Sequence, residues 1–374
     1  MDRQPFHFAH SAIGLWGEAV QDCIQQLAPV PEGANLGFVY VTDLYANRLP
    51  EILAELRLQT GIEQWTGSVG IGICGGSTEY LDESAIAVML GEFPEGSFRI
   101  FEPLTEPDLV EQHIENFFVH DRPAYFALAH ADGRNPETVR LIETTAAGLS
   151  SGFIAGGLSS SRFPAFQVAN GAVQGGLSGV LFTDQVNVLT RLTQGVTPIG
   201  PRHRVTASRD NILINLDGRS ALEVLYEDIG EILSRDLQRA AGYIFAALSI
   251  PGSDSRDYLV RNLIGADTTE GLVAINENIP EQAEVLFCRR DALAAEQDMQ
   301  SMLRDLEENL PARPRGAVYY SCLGRGESLF GTKSAEVSLI QKILGDIPLV
   351  GFFANGEISH DRLYSYTGVL TVFV

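Results

Sequence analysis

The stretch SSGFIAGGLSSSRF, residues 150–163, crowds small residues around Gly156–Gly157, flanks them with hydroxyls and adds Arg162. Such a stretch can cradle a phosphate, carry a nucleophilic serine on a sharp turn, or offer backbone N–H groups to a small ligand. A phosphate-binding Walker loop needs a Lys in G-x-x-x-x-G-K-[ST], and none is present here. Gly70, Gly72 and Gly75 match the spacing of a dinucleotide fingerprint, but the following STEYLDES is turn-like rather than helical. A nucleophile elbow needs G-x-S-x-G, an order that none of the Gly turns has. Ser159, Ser160 and Ser161 also lack His and Asp partners evident in the sequence. Gly-rich strand ends do suit close approach to a carboxylate or another small polar group, because no Cβ intervenes. A tight corner needing positive φ is the structural alternative for each turn.

Two further segments carry chemistry. In RLTQGVTPIGPRHRVT (191–206), Arg202, His203 and Arg204 cluster in an otherwise acidic chain. They read either as an Arg fork for an anionic head group or as an edge strand paired with surface acids. In SCLGRGESLFG (321–331), Cys322 ends a strand and Arg325 lies in the Gly loop after it. A thiol beside Arg is a candidate nucleophile, and a small buried hydrophobe is the alternative. The histidines show no metal-ligand spacing, so no metal site is expected. Haem needs a single axial ligand, for which His130 and His203 are the candidates.

These residues sit on a repeated pattern. GFVYVT (37–42) is a continuous apolar run, which predicts a strand covered on both faces; a helix over 49–61, the strand SVGIGIC (68–74) and the strand AIAVML (85–90) follow. The unit returns as AYFALAH (124–130), a helix over 136–149, GFIAGGLSSS (152–161) and VQGGLSGVLFT (173–183). It returns again as AVYYSC (317–322), a helix around 334–344, LVGFFANGE (349–357) and TGVLTVFV (367–374). Parallel strands need a helix between them, so this spacing predicts βαβ crossovers with an added returning strand, and three Gly turns at equivalent corners. Between copies two and three, residues 205–300 alternate strands with helices, including helices over 219–237 and 291–310. The predicted fold class is α/β: layered mixed sheets built from repeated strand–helix–strand units with Gly-rich strand ends, in two tightly associated domains.

The net charge of −22, from 26 Lys+Arg against 48 Asp+Glu, repels phosphate backbones and anionic lipid. Nucleic-acid and membrane partners are therefore not expected. No apolar run reaches the roughly 20 residues of a membrane-spanning helix, and the N-terminus lacks a secretory leader pattern. Cys23, Cys74, Cys288 and Cys322 are scattered, which reads as reduced thiols and a cytoplasmic location.

The blocks SVGIGICGGS, SGFIAGGLSSS, LTQGVTPIGPRHRVT, NILINLDGRSALEVL, YYSCLGRGESLFG and PLVGFFANGEIS together resemble the FIST family, from about residue 35 onward. Trp16, Val20, Cys23, Ile24 and Leu27 fall on one helical stripe, so a helical extension is expected over 1–34, and the resemblance implies a FIST N-terminal domain over 35–218 and a FIST C-terminal domain over 219–374. It implies a non-catalytic sensory module that binds a small ligand such as an amino acid and feeds intracellular signalling. Some members resemble haem-binding nitric oxide sensors, so a haem gas sensor is the alternative; an enzyme with a Cys322 nucleophile is the second. No output domain is read in the sequence, so the signal is expected to pass through a protein partner or a homo-oligomer. No cofactor is required by this reading. The ligand-binding residues expected on physical grounds are Gly75, Gly76, Gly156, Gly157, Ser159, Ser160 and Arg202, with Arg325, Asn355 and Glu357 from the third copy. Arg202 or the Gly turns would hold a carboxylate, and Glu357 an ammonium.

Overall fold

A computed structural model describes residues 5–113, 118, 119, 122–234, 243–250, 258–279 and 282–374. The chain forms two compact units, residues 1–193 with 299–374, and residues 194–298. The end of the helix read over 219–237 lies outside the described residues; Ala221–Ser234 is helical with a kink at Gly230 (φ 75°).

The first unit is built from the three copies. Their leading strands, Leu36–Thr42, Phe126–Ala131 and Gly316–Cys322, are buried at every position, as continuous apolar runs require. Each pairs in parallel with the strand beyond its crossover helix: Gln64–Gly70, Phe153–Leu158 and Leu349–Ala354. On its other side each pairs antiparallel with a returning strand: Ile86–Gly91, Leu177–Phe182 and Thr367–Phe373. Outer strands Phe6–Ser11, Phe98–Leu104 and Val188–Gln194 complete the far edges. Each outer strand also precedes a helix, Trp16–Leu27, Pro107–His113 or Ala292–Asn309. The stretch expected as a helical extension thus contributes both a helix and the edge strand ahead of it. The second unit is inserted between the outer strand and the helix of the third copy.

Between its second parallel strand and its returning strand each copy forms a hairpin, and this hairpin leaves its own sheet. Gly72–Gly75 of copy one pairs with Leu349–Ala354 of copy three. Gln167–Ala169 of copy two pairs with Gln64–Gly70 of copy one. Glu357–His360 of copy three pairs with Phe153–Leu158 of copy two. The exchange closes a circuit of three six-stranded sheets. Residues on either side of position 219 share two of them.

Side-chain alternation divides the core. Phe38, Tyr40, Phe126, Leu128, Val318 and Tyr320 point into one central cluster shared by all three sheets. Val39 and Val41, Ala127 and Ala129, and Ala317 and Tyr319 point outward into separate clusters roofed by the helices of their own copy. The helix Leu49–Thr60 shows the local logic: Pro50 sits in its first turn, and Gly61 at φ 71° ends it with an N–H to Arg57 O.

The second unit is an antiparallel sheet whose pairings close on themselves. Val285–Arg289 pairs with Ile244–Leu248 on one side and reaches His203 and Arg204 on the other. The helix Ala221–Ser234 supplies Leu222, Val224, Leu225 and Ile229 to its core.

One glycine per copy sets the tightness of the parallel pairs. Gly67, Gly156 and Gly351 stand opposite Val39, Ala129 and Tyr319, and a Cβ at any of them would lie 1.8 Å from the carbonyl oxygen across. Gly351→Ala should therefore cost about 3 kcal/mol or more in urea unfolding. Gly171→Ala, in open space, should change little. Equal midpoints for the two variants would contradict this account of the strand spacing.

Candidate functional site

The loops that leave the C-terminal ends of the parallel strands converge, as strand ends in α/β layers do. They border an open cavity of about 240 Å³ lined by Ile71, Asp132, Gly133, Arg134, Ser159, Ser160, Ser161, Ala165, Leu323 and Asn355. Ile71, Ser160 and Asn355 are equivalent, each four residues past its copy's strand glycine. They interlock through the backbone: Ile71 N–H donates to Ser160 Oγ at 2.9 Å, and Ser160 Oγ donates to Phe353 O. Asn355 N–H donates to Leu158 O at 3.0 Å. Ser159 Oγ meets Ser68 Oγ at 2.8 Å.

Asp132 ends the leading strand of the second copy, buried, and grips Arg134 twice. Arg134 Nε donates to Oδ1 at 2.9 Å and Nη2 to Oδ2 at 2.7 Å, while Arg134 N–H adds a third bond to Oδ1 at 3.0 Å. The hydrogen bonds from Arg134 hold the Asp132 carboxyl below its usual range against a smaller burial penalty. The serine wall is fixed from outside by Arg162. Its Nε and Nη2 each reach fully buried Asp43 at 2.8 Å, and its Nη1 reaches Asp82 at 2.7 Å. Burial pushes the Asp43 carboxyl up, but the bonds from Arg162 outweigh it and leave the group lowered.

At the position after each outward-facing Val39, Ala129 and Tyr319 stand Tyr40, His130 and Tyr320. These three side chains meet in the central core. Tyr40 Oη lies 3.1 Å from His130 Nε2 and 3.3 Å from Tyr320 Oη, and Phe352 stacks on Tyr40 at 5.5 Å. Burial lowers the His130 pKa to about 3, and its Nδ1 has no partner among the described residues.

A second buried network fills the third copy. Glu336 accepts from Tyr319 Oη, Ser321 Oγ, Arg325 Nε and Gly326 N–H at 2.7–3.0 Å. Glu357 Oε2 accepts from Thr367 N–H and Oγ1. Burial raises its pKa to about 8, only partly offset by Thr367. Cys322 belongs to the same surroundings, and burial pushes its thiol well up. A protonated, buried thiol is not the activated nucleophile that the enzyme alternative needs.

Of the residues expected to bind ligand, Ser159, Ser160 and Asn355 line the cavity together. Gly156 and Gly157 lie inside a strand, where they admit Ala129 O and Ala354 Cβ. Gly75 and Gly76 form the tip of an exchanged hairpin against His10 and Phe8. The Gly turns are thus not at equivalent corners, because one is a strand interior and the other a hairpin end. Arg325 and Glu357 are fully buried in the third-copy network rather than among the cavity-lining residues. Arg202 belongs to the second unit, where it bonds Tyr258 Oη at 3.1 Å and Glu284 at 3.4 Å. The candidate axial ligands do not fit haem as they are packed. His203 has Asp217 and Asp228 on its two ring nitrogens at 2.7 and 2.9 Å, and His130 is fully buried among Tyr40, Tyr320 and Phe352. Asp132, Gly133 and Arg134 were not anticipated; their signal is the DGR turn directly after the strand AYFALAH.

Comparison with known proteins is consistent along nearly the whole chain. A FIST N domain model matches residues 35–219 and a FIST C domain model residues 221–360. An uncharacterized protein of Mycobacterium tuberculosis is 30% identical over 353 residues, 88% of each chain. One of Mycobacterium bovis is 34% identical over 194 residues, 49% of this chain and 50% of its own. F-box only protein 22 of Pongo abelii shares 32% identity over 71 residues, 19% and 18% of the two chains.

Two of the buried titratable groups, His130 and Glu357, give the stability opposite pH limbs, and Glu79, raised to about 7 by burial, adds to the Glu357 limb. His130, at about 3 in the fold against 6.5 when exposed, contributes stability that is full above 6.5 and lost as pH falls toward 3. Glu357, at about 8 against 4.5, contributes stability that is full below 4.5 and lost as pH rises through 8. Each limb should slope by about 1.4 kcal/mol per pH unit for one proton. Urea unfolding across pH should show Glu357→Gln flattening the limb between 6.5 and 8, and His130→Phe flattening the limb below 4.5. Unchanged slopes in both variants would refute the assignment.

Proposed function

The chain belongs to the FIST family, whose domains are sensory, and from that premise we propose that it is a small-ligand sensor whose ligand occupies the cavity among Ile71, Ser160 and Asn355. The observation that carries this reading is the convergence of three equivalent strand-end loops on one cavity with hydroxyl, amide and guanidinium groups in its wall. Its volume suits a metabolite of amino-acid size, and an amino acid or a related small metabolite is the ligand class we infer.

The site favours binding over catalysis. Ser160 Oγ is engaged by Phe353 O and Ile71 N–H, and Ser159 Oγ by Ser68, so neither hydroxyl faces a general base. Haem or another cofactor is not part of this proposal. The signal passes to a protein partner or a second copy of the chain, with neither nucleic acid nor a membrane as partner. No helix among the described residues is long and apolar enough to cross a membrane. Four separate buried cysteines with free thiols support placing the sensor in the cytoplasm.

Native mass spectrometry of freshly purified protein, followed by thermal-shift screening of small metabolites, tests the reading. A true ligand at 100 times its Kd should add roughly 2.7 kcal/mol of stability. Asn355→Trp, which fills the cavity from an exposed position, should abolish the shift. Ligand binding that survives this substitution would move the site elsewhere.

A further inference from the structure

The hydrogen-bonding capacity left open around the cavity is unbalanced, and the imbalance names a ligand class. This step rests on the cavity being the ligand site. The one carboxylate in its wall, Asp132, accepts three hydrogen bonds from Arg134 and is consumed by them. Ser160 Oγ donates to Phe353 O and accepts from Ile71. Ser161 Oγ accepts from Phe163 N–H at 3.0 Å, which leaves its own O–H to donate. Arg134 is gripped through Nε and Nη2 only; its Nη1, with two hydrogens, has no acceptor among the described residues. The Asn355 side-chain amide is likewise without a partner among them.

We infer that the ligand carries an anionic head group, carboxylate or phosphate, and that Arg134 is its anchor. A planar guanidinium held on two nitrogens by a buried carboxylate cannot swing freely, so its remaining edge is presented in a fixed direction. Ser161 O–H and Asn355 Nδ2–H supply the neutral donors beside it, and Asn355 Oδ1 is the one side-chain acceptor among these groups left open. A cationic ligand would meet Arg134 with no free carboxylate to offset it, and a neutral ligand would forgo the charge-assisted bond. This replaces Arg202 as the expected anion clamp: Arg202 already bonds Tyr258 and Glu284 within the second unit.

The full chain would be titrated with sodium acetate, inorganic phosphate and acetamide at constant ionic strength, following the melting temperature and the Arg134 Nε–H signal by NMR. Acetate or phosphate should stabilise the protein and shift that signal, while acetamide should do neither; the stronger of the two anions identifies the head group. Arg134→Gln should weaken anion binding about 10- to 100-fold, and Arg202→Gln should leave it unchanged. If Arg134→Gln fails to fold, as judged by its ligand-free melting curve, the wild-type NMR titration together with Arg134→Lys, which keeps the charge and loses the fork, decides. Acetamide as effective as acetate, or no response to either anion, would overturn the anion assignment. Anion binding lost in Asn355→Trp but intact in Arg134→Gln would also overturn Arg134 as anchor while leaving the cavity as the site. Anion binding untouched by both substitutions would instead remove the cavity reading itself.

Discussion

The first unit depends on three leading strands being buried on both faces at once. One face of each must meet the other two in a shared centre, and the other face must meet helices of its own copy. Phe38, Phe126 and Val318 satisfy the first demand with apolar groups, but the next inward position brings Tyr40, His130 and Tyr320 together. Three polar side chains at the centre of a core are stabilised there by the bonds of Tyr40 Oη to both His130 Nε2 and Tyr320 Oη. An arrangement of this kind has one good register, which supports a specific association of the sheets.

That convergence also explains where the cavity lies. Strands that meet side by side end side by side, so their exit loops arrive at the same place with no secondary structure to fill it. The same topological position then carries Ile71, Ser160 or Asn355 according to the copy. A repeated scaffold has thereby produced an asymmetric site: one apolar wall, one hydroxyl wall and one amide, with the Asp132–Arg134 pair contributed by the second copy alone. The Arg162 clamp on Asp43 and Asp82 serves the same end from outside, holding the serine loop of one copy against another.

Much of this was legible in the sequence, and the limits are physical. The apolar runs of the leading strands, the crossover helices and the threefold recurrence could all be read from periodicity. Ser159, Ser160 and Asn355 could be singled out as small polar residues after a strand, and all three line the cavity. Arg325 and Glu357 looked equally eligible, since a loop Arg and a strand-end Glu carry no mark of burial. Only the fold reveals that Glu336 and Thr367 claim them. The Gly pairs misled for a related reason: glycine that admits a neighbouring carbonyl and glycine that turns a hairpin are the same letter. The hairpin exchange was invisible, because a strand's partner in another copy leaves no trace in local alternation.

The hairpin exchange bears on how the protein is made. A ribosome delivers the first two copies and the outer strand of the third well before the rest of the third, with the whole second unit emitted in between. During that interval the strand Phe153–Leu158 lacks the hairpin Glu357–His360, and the hairpin Gly72–Gly75 has no strand Leu349–Ala354 to join. The nascent chain therefore carries an open sheet edge and a homeless hairpin until residues 349–360 emerge, as the strand positions require. A chaperone that shields exposed strand edges would find its substrate in that window, and a translation pause within the inserted unit would lengthen it.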